Sequence, residues 1–164
     1  MKKIEMLALV IVSVAALSFA FAPASDAAGD ARLEAESVTA PVGSSSAEVK
    51  IDMTSNPGIW GLGAEISYDS RMTLVGVESY GVMDVTPGPL GNPYRLYCEN
   101  EDLADTDATG VIIVLKFSFP SSTNGTLEVS ISNVDAVNVD GEQVEFATVS
   151  GGLGIEMPIG HYTG

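Results

Sequence analysis

Cations are scarce in this chain. Its 164 residues hold seven Lys and Arg against 22 Asp and Glu, a formal net charge of −15. A surface that acidic repels phosphate backbones and anionic membranes, which argues against nucleic acid or a lipid surface as partner. Cysteine is nearly absent too. Cys98 stands alone, so no internal disulfide can form. Within Leu96-Tyr97-Cys98 it reads as a small hydrophobe. A catalytic thiolate would need a base nearby, and the sole histidine is His161, three residues from the C-terminus. Nucleophile elbows, phosphate loops and metal-ligand spacings are missing. Any two of the many acids could be named as a pair for sugar hydrolysis, so none is singled out. An enzyme is not expected, nor is a cofactor.

No stretch beyond the N-terminus shows a 3.6-residue apolar stripe with caps, so helices are not expected there. The N-terminus itself carries Lys2 and Lys3 before an apolar run from Met6 to Ala22, and then Ser25-Asp26-Ala27. This is the outline of a secretory signal peptide, residues 1–27. A retained membrane anchor is the alternative, but the run is short of the roughly 20 residues of a full span and is broken by Ser13 and Ser18. No cysteine lies near the junction to carry a lipid. Cleavage after Ala27 leaves one domain, residues 28–157, and a tail, 158–164. The leader removes two Lys, one Glu and one Asp, so the net charge stays at −15 and five cations remain: Arg32, Lys50, Arg71, Arg95 and Lys116. The expected location is secreted, extracellular or attached to the cell surface.

What the chain has in plenty is alternation. Residues 58–69 read GIWGLGAEISYD. Trp60, Leu62, Ala64, Ile66 and Tyr68 share one parity; Gly61, Gly63, Glu65 and Ser67 share the other. Successive strand side chains point to opposite faces, so the first set is core and the second is wet. Interior glycine weakens a strand unless the chain bends or something approaches closely. Two of them on the wet face predict a smooth outer sheet surface able to receive a partner. Other strand runs cover Ala47–Met53, Met72–Glu78, Val111–Phe119, Leu127–Ile131, Gln143–Val149 and Leu153–Met157. Ile112 and Val114 suggest cover on both faces of the 111–119 run. Asn124-Gly125 and Asp140-Gly141 are tight-turn dipeptides, Gly151-Gly152 marks a bend or bulge, and Thr86–Pro93 holds three prolines in a stiff loop. Many short strands with regular punctuation predict an all-β, two-sheet sandwich.

The acidic run ENEDLADTD, residues 99–107, invites a calcium reading. The helix-loop-helix calcium loop needs a glycine at its sixth position and a bidentate Glu at its twelfth. From Asp105 the glycine is present at Gly110, but the twelfth position is Lys116. A solvated acidic loop is the favoured reading, with an irregular calcium site built from several loops left open.

Taken in order, four segments resemble cohesins, the receptor modules of cellulosome-type scaffolding proteins: LEAESVTAPVGSSSAEVKIDM from Leu33, then NPGIWGLGAEISYDSRMTLVGVES, GVIIVLKFSFP and VDAVNVDGEQVEFATVSGGLGI. The resemblance covers nearly all of residues 32–157. It implies a nine-stranded jelly-roll sandwich whose third, fifth, sixth and eighth strands form a face that binds a dockerin, a small calcium-loaded helical module. The calcium then belongs to the partner. By the same resemblance the module is a non-catalytic adaptor, monomeric alone, that assembles a multi-enzyme complex for polysaccharide degradation. The implied contacts are Gly61, Gly63 and Glu65; Leu96, Cys98 and Glu99; and Gly141, Gln143 and Glu145. In the second group parity allows another set, Arg95, Tyr97 and Glu99, with Leu96 and Cys98 in the core. Two alternatives stand beside the adaptor: a carbohydrate-binding module and a structural surface or adhesion module. The first lacks an aromatic platform, because Trp60 and Tyr68 fall on the inward parity, and Tyr94 and Tyr97 cannot share a face in a regular strand.

Overall fold

The computed structural model describes residues 31–157; the signal segment and the tail assigned from sequence lie outside them. The described chain is all β, with eleven strands in two sheets where nine were expected. The strands are β1 (Ala31–Ala35), β2 (Ser37–Pro41), β3 (Ser46–Ser55), β4 (Gly61–Tyr68), β5 (Thr73–Ser79), β6 (Asp84–Val85), β7 (Tyr94–Glu99), β8 (Gly110–Ser118), β9 (Gly125–Val137), β10 (Phe146–Val149) and β11 (Gly151–Glu156). One sheet runs β10-β1-β3-β8-β5 and the other β2-β11-β9-β4-β7-β6.

Two of the extra elements have identifiable causes. The segment from Ala31 to Pro41 forms two strands, because the chain changes sheets at Glu36. The Glu36 N–H donates to Lys50 O in one sheet, and its carbonyl accepts from Gly152 N–H in the other. The crossing needs close backbone approach. A Cβ on Gly151 would collide with the carbonyl oxygens of Ala35 and Glu36, and one on Gly152 with that of Leu127. Gly152 also sits at φ +140, open only to a residue without a side chain. The Gly-Gly pair read as a bend is therefore the seat of the sheet crossing. The second addition, β6, is a short pairing of Asp84 and Val85 with the outer edge of β7. The expected strand over 143–149 shrinks to β10. Its first part, 143–145, instead runs beside the end of β9 through a Val137–Gln143 bridge and a Val144 N–H to Ala136 O bond.

Between the sheets lies one apolar core. Leu33, Val49, Ile51, Met53, Ile66, Ile113, Leu115, Phe117, Leu127, Val129 and Leu153 are all buried in it. Tyr68 closes it at one end, edge-on to Phe117 with ring centroids 5.0 Å apart. In β8 the four residues Ile112–Leu115 are all buried. Val114 stands opposite Lys50 and Glu78 in the register, where the stems of those long side chains can cover it.

Candidate functional site

The outer face of the six-stranded sheet is organised by β4. Leu62, Ala64 and Ile66 are buried, so Gly61, Gly63 and Glu65 point outward, as the alternation predicts. Trp60, just ahead of the strand, is half-buried, and its Nε1 is enclosed with no hydrogen-bond partner. On one side β7 is antiparallel, setting Gly61 opposite Glu99, Gly63 opposite Tyr97 and Glu65 opposite Arg95. On the other side β9 sets Gly61 opposite Val137, Gly63 opposite Asp135 and Glu65 opposite Ser132. Directly opposed residues share a face. The result is a lattice of rows, of which one runs Asp84, Glu99, Gly61, Val137, Gln143 across five chain segments.

The glycines are covered unequally. A Cβ on Gly63 would lie 3.6 Å from Tyr97 Cε2, so the tyrosine ring leans over this glycine from the neighbouring strand. This is the cross-strand aromatic cover by which a sheet makes up for a missing side chain. The ring remains 67% exposed. Gly63, Glu65, Arg95, Tyr97, Asn133 and Asp135 line a shallow depression of about 260 Å³ there.

β9 carries a bulge at this point, since the pairing with β4 slips between Gly63 and Glu65. Asn133 takes φ +48, a left-handed conformation that asparagine tolerates better than most residues. Its Nδ2 donates to Glu65 Oε2 at 2.7 Å. Arg95 Nε lies 3.4 Å from Glu65 Oε1. Glu65 is thus held from both sides, whereas Asp84, Glu99 and Asp135 form no ion pair among the described residues.

The expected contacts divide. Gly61, Gly63, Glu65 and Glu99 lie on this face, and Gln143 joins its edge. Glu145 is exposed two residues further along the same segment, and Gly141 is in the turn that precedes it. Leu96 and Cys98 are corrected: each is 1% exposed and belongs to the core. The Cys98 sulfur lies 3.8 Å from Met83 Sδ, and burial pushes its thiol pKa up to about 12, so it stays protonated. The outward residues of β7 are Arg95, Tyr97 and Glu99. Asn133 and Asp135 were missed entirely. Asp105 Oδ1 accepts a hydrogen bond from Val139 N–H at 2.7 Å, and among the described residues no three His, Cys, Asp or Glu side chains cluster as a metal site.

The fold of the described residues defines a class, the two-sheet β-sandwich. Particular structures of that class are similar to this chain. A non-cellulosomal cohesin from the archaeon Archaeoglobus fulgidus is 17% identical, with a TM-score of 0.64 over 77% of this chain and 91% of that one. The sixth cohesin of Acetivibrio cellulolyticus scaffoldin B, solved with a dockerin, is 18% identical, with a TM-score of 0.67 over 77% and 99%. A type I cohesin from Clostridium thermocellum, also solved with its dockerin, is 15% identical, with a TM-score of 0.64 over 79% and 95%. No protein-family model and no curated protein sequence matches. At these identities the likeness is one of fold.

Proposed function

We propose that this chain is a non-catalytic receptor module that binds a calcium-loaded dockerin on the outer face of its six-stranded sheet. The observation that carries the reading is the row of outward glycines in β4, flanked by the exposed ring of Tyr97 and by unpaired carboxylates. It is a flat platform with one large aromatic anchor, the anatomy of a protein-docking surface in which few residues dominate the energy. Cohesins with the same fold have been solved holding dockerins, which supports the same class of partner here. The calcium is the partner's, and this chain supplies no ligand to it. In this reading the module works outside the cell, after its signal segment is removed, and gathers enzymes that degrade polysaccharides.

Calorimetry of the purified chain against a panel of calcium-loaded dockerins tests the proposal. Binding by at least one member that disappears in the Gly63→Arg variant supports it; binding unchanged by that substitution moves the site elsewhere. Among the described residues a carbohydrate platform finds no support, because the exposed tyrosines there, Tyr80 and Tyr97, belong to different sheets.

A further inference from the structure

Beyond Gly61 the sheet gives way to two loops, residues 100–106 after β7 and 138–141 after β9. They are fastened to each other by the Asp105 carboxylate on Val139 N–H. Asn100 holds the first loop, donating from its backbone to Trp60 O and from its side chain to Ala104 O, both at 2.8 Å. Asn138 Oδ1 holds the second, accepting from the N–H groups of Asp140 and Glu142. Each loop lifts one large apolar side chain into water: Leu103 is 70% exposed and Val139 51%. Leu103 also sits at φ +51, a conformation that a leucine adopts only at a cost. Both residues stay more exposed than buried and lie outside the apolar core.

Uncompensated acids crowd the same end. Asp84 and Glu99 oppose each other in the β6–β7 register, where like charges repel. Asp135 flanks Gly63, and Glu101, Asp102 and Asp140 are exposed on the loops. Among the described residues the one cation on this face, Arg95, is engaged by Glu65.

We propose that the docking surface continues past the sheet onto these paired loops, and that its occupant is a basic helix of a dockerin-type module. Its cationic side chains would lie over Asp84, Glu99 and Asp135, and an apolar side chain would seat against Leu103 and Val139. The proposal rests on the dockerin reading above. Charge complementarity selects this occupant, since a second copy of the chain would bring −15 against −15. Apolar contacts beside a charged fringe also match the core-and-rim layout of a specific interface.

The test is a yeast-displayed library of calcium-loaded dockerins, randomised on the exposed helix positions and selected with the full chain. Enriched clones should be rich in Lys and Arg. Against those clones, Leu103→Ser and Val139→Ser should each weaken binding about tenfold, with the melting temperature unchanged. Glu99→Gln should slow association and flatten its salt dependence. Clones without basic bias, or clones that bind the two loop variants as tightly as the original chain, overturn the inference while docking itself stands. If no clone is enriched, the dockerin reading fails and this one with it.

Discussion

Both sheets carry an outward glycine covered by a side chain from the next strand, and the two covers differ in kind. On the five-stranded sheet, Gly76 faces the stem of Lys116, which a Cβ would meet at 3.7 Å. Lys116 is tethered by Glu78 at 2.5 Å and by Glu48 at 3.9 Å. Arg32 with Glu34 and Lys50 with Glu36 continue the same pattern there. On the six-stranded sheet, Gly63 lies under Tyr97, a ring with no hydrogen bond to its hydroxyl among the described residues. On the first surface Arg32, Lys50 and Lys116 each hold a carboxylate, and Asp52, opposite Glu34, is left without an ion pair among the described residues. The other leaves an aromatic ring and several carboxylates unmatched. Surface ion pairs add little stability, so the first face is best understood as solvated and inert. On the proposed reading, the unmatched groups of the second are the ones a partner would engage.

The strongest way to break this contrast is to load both glycines. Gly63→Arg should reduce dockerin affinity more than about a hundredfold, while Gly76→Arg leaves it unchanged, both measured by calorimetry. Equal effects would erase the distinction between the faces. Truncating the covers comes next. Tyr97→Ala should cost binding about 2 kcal/mol, roughly thirtyfold, with little change in melting temperature. Lys116→Ala should do the reverse, lowering the melting temperature slightly and leaving affinity alone.

A smaller effect concerns the turn that joins the sheets. Asp69 accepts from Arg71 at 2.7 Å, and those hydrogen bonds, chiefly the side-chain one, lower its pKa to about 2. A carboxylate with a depressed folded pKa stabilises the fold above its unfolded value and loses that contribution as pH falls. The advantage of the parent chain over Asp69→Asn in thermal melts should therefore be full above about pH 4 and shrink toward pH 2. A gap constant across that range would show the pair to be idle. Smallest of all, Cys98 should resist alkylation in the native chain at pH 8 and react in denaturant. Rapid native labelling would put it back on the outer face.

How much of this was readable from sequence depends on how sharply the two faces of a strand differ in chemistry. In β4 the alternation is clean, and its orientation follows directly. In β7 the residues Tyr94, Leu96, Tyr97 and Cys98 suit either side. Only Arg95 and Glu99, two charges on one parity, decide it, and that signal also shows why Cys98 and Glu99 could not both be contacts. The sheet crossing left a trace as well: apolar residues fall on odd positions at Leu33 and Ala35 and on even ones at Val38 and Ala40. The β9 bulge left none, because one extra residue in a ladder changes pairing without changing composition. Leu103 was hidden for a related reason, since its exposure depends on a loop conformation that no periodicity records.

The crossing at Glu36 has a mechanical consequence. It lays β1 parallel to β10 and β2 parallel to β11, so the first strands of the sandwich run alongside the last. Tension applied between the two ends of the domain would load these ladders in shear. Their hydrogen bonds would then have to give way together rather than unzip singly.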